Sequence, residues 1–175
     1  MQLETEKPWD ELDDLIFQLY GMDADAVQVA RDTLYASAYY RRAGRDALNP
    51  TDGNSRMAFR TFLAEELNPY FEVCGERVEI HELTTAFEAW GQPWFFLSIT
   101  KQGESVRLQG NLLAKAMDVA NQQGSSRILV RAPRKAGMTI GLLNQSRWWT
   151  ATRARLCAQH IIREHIEAFG LAEDL

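Results

Sequence analysis

The heptapeptide W-F-F-L-S-I-T at residues 94–100 constrains the fold of this chain more than any other stretch. Aromatic and β-branched side chains dominate it, and such a composition is typical of a β-strand. Residues 78–83 predict a second strand, and Gly91 and Pro93 interrupt the chain between the two. We therefore predict that these two strands pair as a β-hairpin.

Helical patterns precede the hairpin. Apolar residues recur at helical spacing over residues 10–22 and again from Asp23 or Asp25 to about residue 38. After a polar connector at residues 41–55, a third helix is expected to end at Pro69 and to be followed by two core aromatics. The N-terminal part is therefore predicted to be helical.

Downstream of the hairpin, helical and strand patterns alternate. A helix over residues 110–121 precedes two short strands at residues 127–132 and 138–143, and a last helix runs from Thr150 to Phe169. Neighbouring strands with helices segregated from them indicate an α+β fold with a largely antiparallel sheet. We predict N-terminal helices followed by a sheet of about four strands that is packed with two helices.

The chain is long enough to bury a core, since 46% of its 175 residues are hydrophobic. We predict a helical part at residues 1–72 and an α+β part at residues 73–175, or else one continuous domain. No apolar run reaches the roughly 18 residues that a membrane-spanning helix needs. The first residues are acidic where a secretory signal would be basic, which predicts a cytoplasmic protein.

Charge is distributed unevenly along the chain. Residues 119–163 contain no Asp or Glu, whereas the rest of the chain holds all 24 acidic residues. Such asymmetry favours either an anionic partner or pairing with the chain's own acidic half. Both interpretations are open from the sequence.

The stretch N-Q-S-R-W-W-T-A-T-R-A-R at residues 144–155 lies at the predicted junction between the last strand and the last helix. Thr150 is suited to cap that helix, whose first N–H groups form an anion site. Arg153 and Arg155 oppose the positive end of the helix dipole unless a phosphate or carboxylate lies there. The two tryptophans fit a core, a subunit interface or base stacking, and one of them is expected to point inward. The predicted nucleic-acid or anion site gathers cationic, amide, hydroxyl and indole side chains: Arg131, Arg134, Lys135, Asn144, Gln145, Arg147, Trp148, Trp149, Thr150, Arg153 and Arg155.

No catalytic signature occurs in the sequence, since G-x-x-x-x-G-K-[ST], G-x-G-x-x-G and G-x-S-x-G are all absent. His160 and His165 are five residues apart on the last predicted helix, a spacing that turns them away from each other. We therefore predict no catalytic residue, no metal site and no cofactor. Cys74 and Cys157 are expected to be reduced thiols of the core.

A metal-dependent nuclease is the alternative enzymatic hypothesis. Such a centre needs clustered carboxylates with a lysine on adjacent strands. Glu79, Glu82 and Glu88 supply carboxylates and Lys101 follows residues 94–100, but no acid accompanies that lysine on its own strand. The other interpretation is that these are solvated charges, which protect the exposed edge of a hairpin.

Two segments resemble known bacterial proteins. The run L-D-D-L-I-F-Q-L-Y-G-M-D-A-D-A-V-Q-V-A-R-D-T-L at residues 12–34 resembles a stretch near the C-terminal end of adenine-specific DNA methyltransferases and restriction-modification proteins, and residues 142–156 resemble the tails of such defence proteins. The family's catalytic loop and cofactor motif have no counterpart here. The resemblance implies a non-catalytic accessory subunit of a restriction-type or antiphage complex, with activity in a larger partner such as a methyltransferase, helicase or nuclease. A stand-alone nucleic-acid-binding protein is the alternative.

Overall fold

The structure is a computed structural model that describes residues 7–37, 47–83, 93–104 and 110–171. Within these ranges the chain forms five α-helices and one four-stranded sheet. The elements are, in chain order, α1 (Lys7–Leu19), α2 (Ala24–Ser37), α3 (Gly53–Glu72), β1 (Val78–Leu83), β2 (Trp94–Lys101), α4 (Gly110–Gln122), β3 (Arg127–Arg131), β4 (Met138–Leu143) and α5 (Ala151–His165). Short 3-10 turns at Pro133–Lys135, Ser146–Trp148 and Ile166–Phe169 follow β3, β4 and α5. The predicted α+β fold is confirmed.

The sheet has the strand order β1-β2-β4-β3, and all three pairings are antiparallel. Leu97 of β2 lies opposite Glu82 of β1 on one side and opposite Ile140 of β4 on the other. The predicted hairpin of β1 and β2 is therefore confirmed. Because β2 has a neighbour on each side and is buried along most of its length, apolar residues occupy both of its faces.

One face of the sheet is covered by α3 and α5. Leu97 and Ile140 lie in one core cluster with Leu63 of α3 and Ile161 of α5, and all four are fully buried. Because α3 contributes to the same core as the sheet, this cluster crosses the boundary predicted after residue 72.

The opposite face of the sheet is covered by α4, whose Leu113 and Met117 share a second core cluster with Phe96 of β2. Gly141 of β4 lies beside the Phe96 ring, and a Cβ added at this glycine would come within 2.6 Å of the ring. Gly137, just before β4, has a φ of 118°, and a Cβ there would clash with the carbonyl oxygen of Ile99. Both positions therefore require glycine for close packing against β2.

The third helix is longer than the sequence predicts, since α3 continues through Pro69 to Glu72. Phe71 is fully buried and meets Phe169 edge to face with ring centroids 5.0 Å apart. This burial offsets the backbone hydrogen bond that Pro69 cannot donate. Tyr70 is 53% exposed rather than in the core, because each residue along a helix turns the side chain by about 100°.

The first two helices are joined by a turn at Gly21, which has a φ of 62°. Asp23 accepts a hydrogen bond at 2.7 Å from the backbone N–H of Ala26, so α2 begins with a side-chain cap near its predicted start. No helix in the described part of the chain is long and apolar enough to cross a membrane.

Candidate nucleic-acid interface

The two adjacent tryptophans have different environments. Trp149 is buried, its Nε1 donates to the carbonyl of Leu143 at 2.9 Å, and its ring meets Phe59 edge to face. Trp148 is only partly buried and lines a surface pocket. The prediction that one indole points inward is confirmed, and Trp149 is a core residue.

Two guanidinium groups lie over the ring of Trp148. The Cζ atoms of Arg147 and Arg153 are 5.0 Å and 4.7 Å from the ring centroid. Oε1 of Gln145 accepts hydrogen bonds from Nε of Arg147 at 3.1 Å and from Nε1 of Trp148 at 3.2 Å. A guanidinium held by its face keeps N–H groups at its edge available for an anion. We call Gln145, Arg147, Trp148 and Arg153 the Trp148 cluster.

A pocket of about 440 Å³ lies beside the Trp148 cluster. Arg153 of the cluster and Arg127 place two guanidinium groups in its wall, and Ser125 and Ser126 add hydroxyl groups. No acidic residue among the described ones lines this pocket. The remainder of its wall is apolar and comprises Phe59, Leu142, Leu156 and Cys157. Such a lining suits an anionic ligand that also has an apolar or aromatic part.

Arg127 and the two serines are functional candidates that the sequence analysis missed. Arg127 lies opposite Leu142 in the pairing of β3 with β4, which brings it to the start of α5. The strands predicted at residues 127–132 and 138–143 give this register once they pair as a hairpin, since residues opposite each other on paired strands are neighbours in space. The serines precede β3 and leave no comparable signal.

Arg155 is held by the chain's own carboxylates. Its Nη2 lies 2.6 Å from Asp25 of α2 and its Nε lies 2.9 Å from Glu66 of α3. The hydrogen bond to Asp25 is the main reason that the pKa of Arg155 is raised above its ordinary value. Arg155 therefore ties α5 to α2 and α3 rather than extending the Trp148 cluster.

The anion site predicted at the start of α5 is filled from within the molecule. Thr150 caps the helix, as predicted, and accepts a hydrogen bond from the backbone N–H of Arg153 at 3.3 Å. The backbone N–H of Thr152 donates at 2.9 Å to Asp32 of α2. The carboxylate that favours this helix end is thus an internal one.

Asn144 connects the site to the segment that precedes α3. Its Oδ1 accepts a hydrogen bond from the backbone N–H of Thr51 at 2.9 Å, and the backbone N–H of Ser146 donates to the carbonyl of Asn49 at 2.9 Å. These contacts fasten the junction of β4 and α5 to the segment before α3.

The other predicted basic residues lie at the far end of β3. Arg131 donates from Nη2 to the carbonyl of Glu164 at 2.8 Å. Arg134 and Lys135 lie in the turn after β3, and both have left-handed φ angles, 59° and 57°. Five strand residues place Arg131 about 13 Å from Arg127 along the strand. The predicted site is therefore divided into the Trp148 cluster and a separate turn.

The rings of His160 and His165 lie 5.0 Å apart between centroids, so the prediction that they turn away from each other is wrong. The reason is that His165 ends α5 with a φ of −137°, and the chain leaves the helical path there. Burial is the main cause that lowers the pKa of His165, followed by the charges of Arg131 and His160. No three His, Cys, Asp or Glu residues within the described ranges are grouped to hold a metal ion.

The carboxylates of the nuclease hypothesis do not gather in the described residues. Glu82 pairs with Arg56 at 3.0 Å on the side of the sheet that α3 covers. Glu79 is three residues away on β1 and points to the other face. The Nζ atom of Lys101 pairs with the carboxylate of a different residue, at 3.4 Å. Glu88 lies outside the described residues.

Both cysteines are free thiols. Cys157 is buried, and burial raises the pKa of its thiol to about 11. Cys74 is only partly buried and packs against the edge of the core cluster.

Comparison with models of protein families, with curated proteins and with solved structures finds no match for this chain. The resemblance of residues 12–34 and 142–156 to restriction-modification proteins stays a prediction. We therefore infer the function from the geometry of the Trp148 cluster and its pocket.

Proposed function

We propose that this protein is a non-catalytic accessory subunit that docks on a larger protein and binds nucleic acid through the Trp148 cluster and Arg127. One observation carries the proposal: two guanidinium groups lie over a partly exposed indole, beside a pocket that a third guanidinium lines. Because Arg127 and Arg153 line this pocket and no described residue of its lining is acidic, a phosphate-containing ligand is favoured over a neutral one.

The shape of the pocket favours an unpaired nucleotide. A volume of about 440 Å³ falls within the usual range for ligand pockets, about 300–1,000 Å³. Arg147 and Arg153 would contact phosphates, while the apolar wall and a guanidinium plane would receive a base that is not stacked in a duplex. Single-stranded nucleic acid is therefore the ligand class that we propose.

Helix α1 supports the docking part of the proposal. One stripe of this helix carries apolar residues at the spacing of a contact face, and all of them are exposed: Leu12, Leu15, Ile16 and Leu19. An exposed apolar stripe of this kind is typical of a surface for another protein. Glu11, Asp13 and Asp14 lie on the same helix, so a partner with basic residues around an apolar groove fits it best.

The biological setting that we propose is a bacterial restriction-type or antiphage defence complex, in which a methyltransferase, helicase or nuclease supplies the activity. This setting rests on the resemblance of residues 12–34 and 142–156. The first of these segments covers most of α1 and α2, and so includes the exposed stripe.

The binding step is tested by fluorescence anisotropy with labelled single-stranded DNA, single-stranded RNA and duplex DNA. We expect preference for single strands and a steep loss of affinity between about 50 and about 200 mM salt, because phosphate contacts release counterions. The double variant Arg147→Ala, Arg153→Ala should lose at least about tenfold in affinity.

Arg163→Ala is the matched control, since Arg163 is an exposed arginine near the other end of α5. It should bind like the parent protein. Equal losses in the two variants, or an affinity that does not respond to salt, would contradict the proposed interface.

A further inference from the structure

Strand β3 is an edge of the described sheet, since it pairs with β4 on one side only. The N–H of Ala132 donates to the carbonyl of Gly137 at 2.9 Å. This bond shows which residues of β3 are hydrogen-bonded to β4. In an antiparallel pair, residues alternate between those that bond to the neighbour and those whose backbone groups point away. Ile128 and Val130 therefore bond to β4, and the residues between and beside them point their backbone groups outward.

The outward backbone groups of β3 differ along the strand. The backbone carbonyl and N–H of Arg127 are both hydrogen-bonded to the hydroxyl of Ser125, which donates to the carbonyl at 2.7 Å and accepts from the N–H at 3.3 Å. No described residue does the same for the backbone of Leu129 or Arg131. Within the described part of the chain, this stretch is therefore an open hydrogen-bonding edge.

A groove of about 540 Å³ runs between this edge and α4. On the helix side it is lined by Leu112, Ala116 and Val119, which fall on one stripe of α4. Leu112 and Val119 are exposed, by 42% and 49%. A free strand edge beside an apolar helix stripe is the arrangement that receives an extended peptide: the edge supplies backbone hydrogen bonds and the stripe receives alternate side chains.

The charge of the groove indicates the kind of peptide. Lys115, Arg127 and Arg131 line it, and none of the described lining residues is acidic. Arg131 also pairs with Glu167 at 3.8 Å, so Lys115 and Arg127 contribute most of the unneutralised charge. A second copy of this chain fits the edge poorly. In an antiparallel pairing of two β3 strands centred on Leu129, Arg127 would lie directly opposite Arg131 of the other copy, and like charges in that position are destabilising.

We propose that the groove between α4 and β3 binds an extended acidic peptide of a partner protein, which adds a fifth strand to the sheet along Leu129 and Arg131. The site is distinct from the Trp148 cluster and does not rest on the proposed binding of nucleic acid. It shares Ser125 and Arg127 with the pocket beside that cluster, so neither residue is suited to test it.

The probe is a fluorescein-labelled peptide of alternating glutamate and valine, whose binding is followed by fluorescence polarisation. The same peptide with lysine in place of glutamate tests charge, and a version with a central proline tests the backbone contacts. We expect the acidic peptide to bind and both relatives to bind at least about tenfold more weakly.

On the protein, Val119→Asp should weaken the acidic peptide by about tenfold, since it places a like charge in the groove. The matched control is Val73→Asp, because Val73 is 76% exposed at the end of α3 and lies outside the groove. Both variants should retain the binding of single-stranded oligonucleotides.

Amide hydrogen exchange locates the peptide. The amides of Leu129 and Arg131 should exchange rapidly in the free protein and slowly in the complex, while those of Ile128 and Val130 exchange slowly in both. Failure of the acidic peptide to bind, equal binding of the lysine peptide, or binding without this protection would overturn the proposal. Protection that appears without peptide and grows with protein concentration would also overturn it, because a second copy would then occupy the edge.

Discussion

Asp32 of α2 accepts a hydrogen bond at 2.9 Å from the backbone N–H of Thr152, in the first turn of α5. Seven residues earlier on the same helix, Asp25 pairs with Arg155. The acidic helix α2 therefore neutralises part of residues 119–163, at the start of α5, and we propose the Trp148 cluster with Arg127 as the part that binds a ligand.

Replacing Asp32 should destabilise the fold. Asp32→Ala removes a carboxylate from the positive end of the α5 dipole and leaves the N–H of Thr152 without its acceptor, so we expect a loss of about 1–2 kcal/mol in the free energy of unfolding. Urea denaturation measures it. Asp118→Ala on the exposed side of α4 is the control and should change this value by less than about 0.5 kcal/mol. Equal effects of the two substitutions would contradict the role given to Asp32.

Arg155 and Arg153 are two residues apart, but substitution of the first should affect stability and substitution of the second should affect binding. Arg155→Ala breaks the ties to Asp25 and Glu66 and should lower the free energy of unfolding by up to about 1 kcal/mol, with little change in affinity for oligonucleotides. Arg153→Ala should weaken that affinity and leave stability nearly unchanged. Urea denaturation and fluorescence anisotropy of the two variants provide the comparison. A loss of affinity in Arg155→Ala and a loss of stability in Arg153→Ala would contradict these roles.

The stability of the protein should fall as the pH drops below about 6.5. Burial, Arg131 and His160 lower the pKa of His165 in the folded state, so the unfolded chain binds this proton at a higher pH than the folded one. The stability that neutral His165 contributes is fully present above pH 6.5, the ordinary pKa of histidine. It is lost as the pH falls through the lowered pKa of His165 in the folded state. Urea denaturation in steps from about pH 7.5 to about pH 5.5 should show this slope. His165→Gln should flatten it, and an unchanged slope in that variant would exclude His165 as its source.

Leucines of α1 and α3 should respond differently to truncation. Leu19→Ala changes a side chain that is 83% exposed and should alter the free energy of unfolding by less than about 0.5 kcal/mol. Leu63→Ala opens a cavity in the core and should cost about 2–5 kcal/mol. Thermal and urea unfolding of both variants checks the difference. A large loss from Leu19→Ala would mean that the stripe of α1 is covered within the molecule and is not a docking surface.

The strands were predictable because their signals are local. Residues 138–143 agree with β4 residue for residue, and the start of β1 at Val78 is also recovered, since alternation and turn residues are read from neighbours in sequence. The end of α3 was not predictable in this way. Pro69 is a strong local stop signal, and only the burial of Phe71 against Phe169, nearly a hundred residues away, explains why the helix continues.

The candidate site shows the same division. The cap at Thr150 and the inward position of one tryptophan follow from a strand-to-helix junction, which sequence alone reveals. The partners that change the chemistry come from far away in the chain: Asp25 and Asp32 reach α5 from α2, and Arg127 arrives through β3. An uneven charge distribution predicts that such pairs or a ligand must exist, but it carries no information on which arginine receives which partner.

The two glycines that lie against β2 give this sheet a pattern that can be recognised in a sequence. Neither Gly137 nor Gly141 has room for a methyl group, one because of the Ile99 backbone and the other because of the Phe96 ring. A remote homologue that has kept the same strand order should therefore retain a G-x-x-x-G spacing at the entry of its second inner strand, even after most other identities have been lost in evolution.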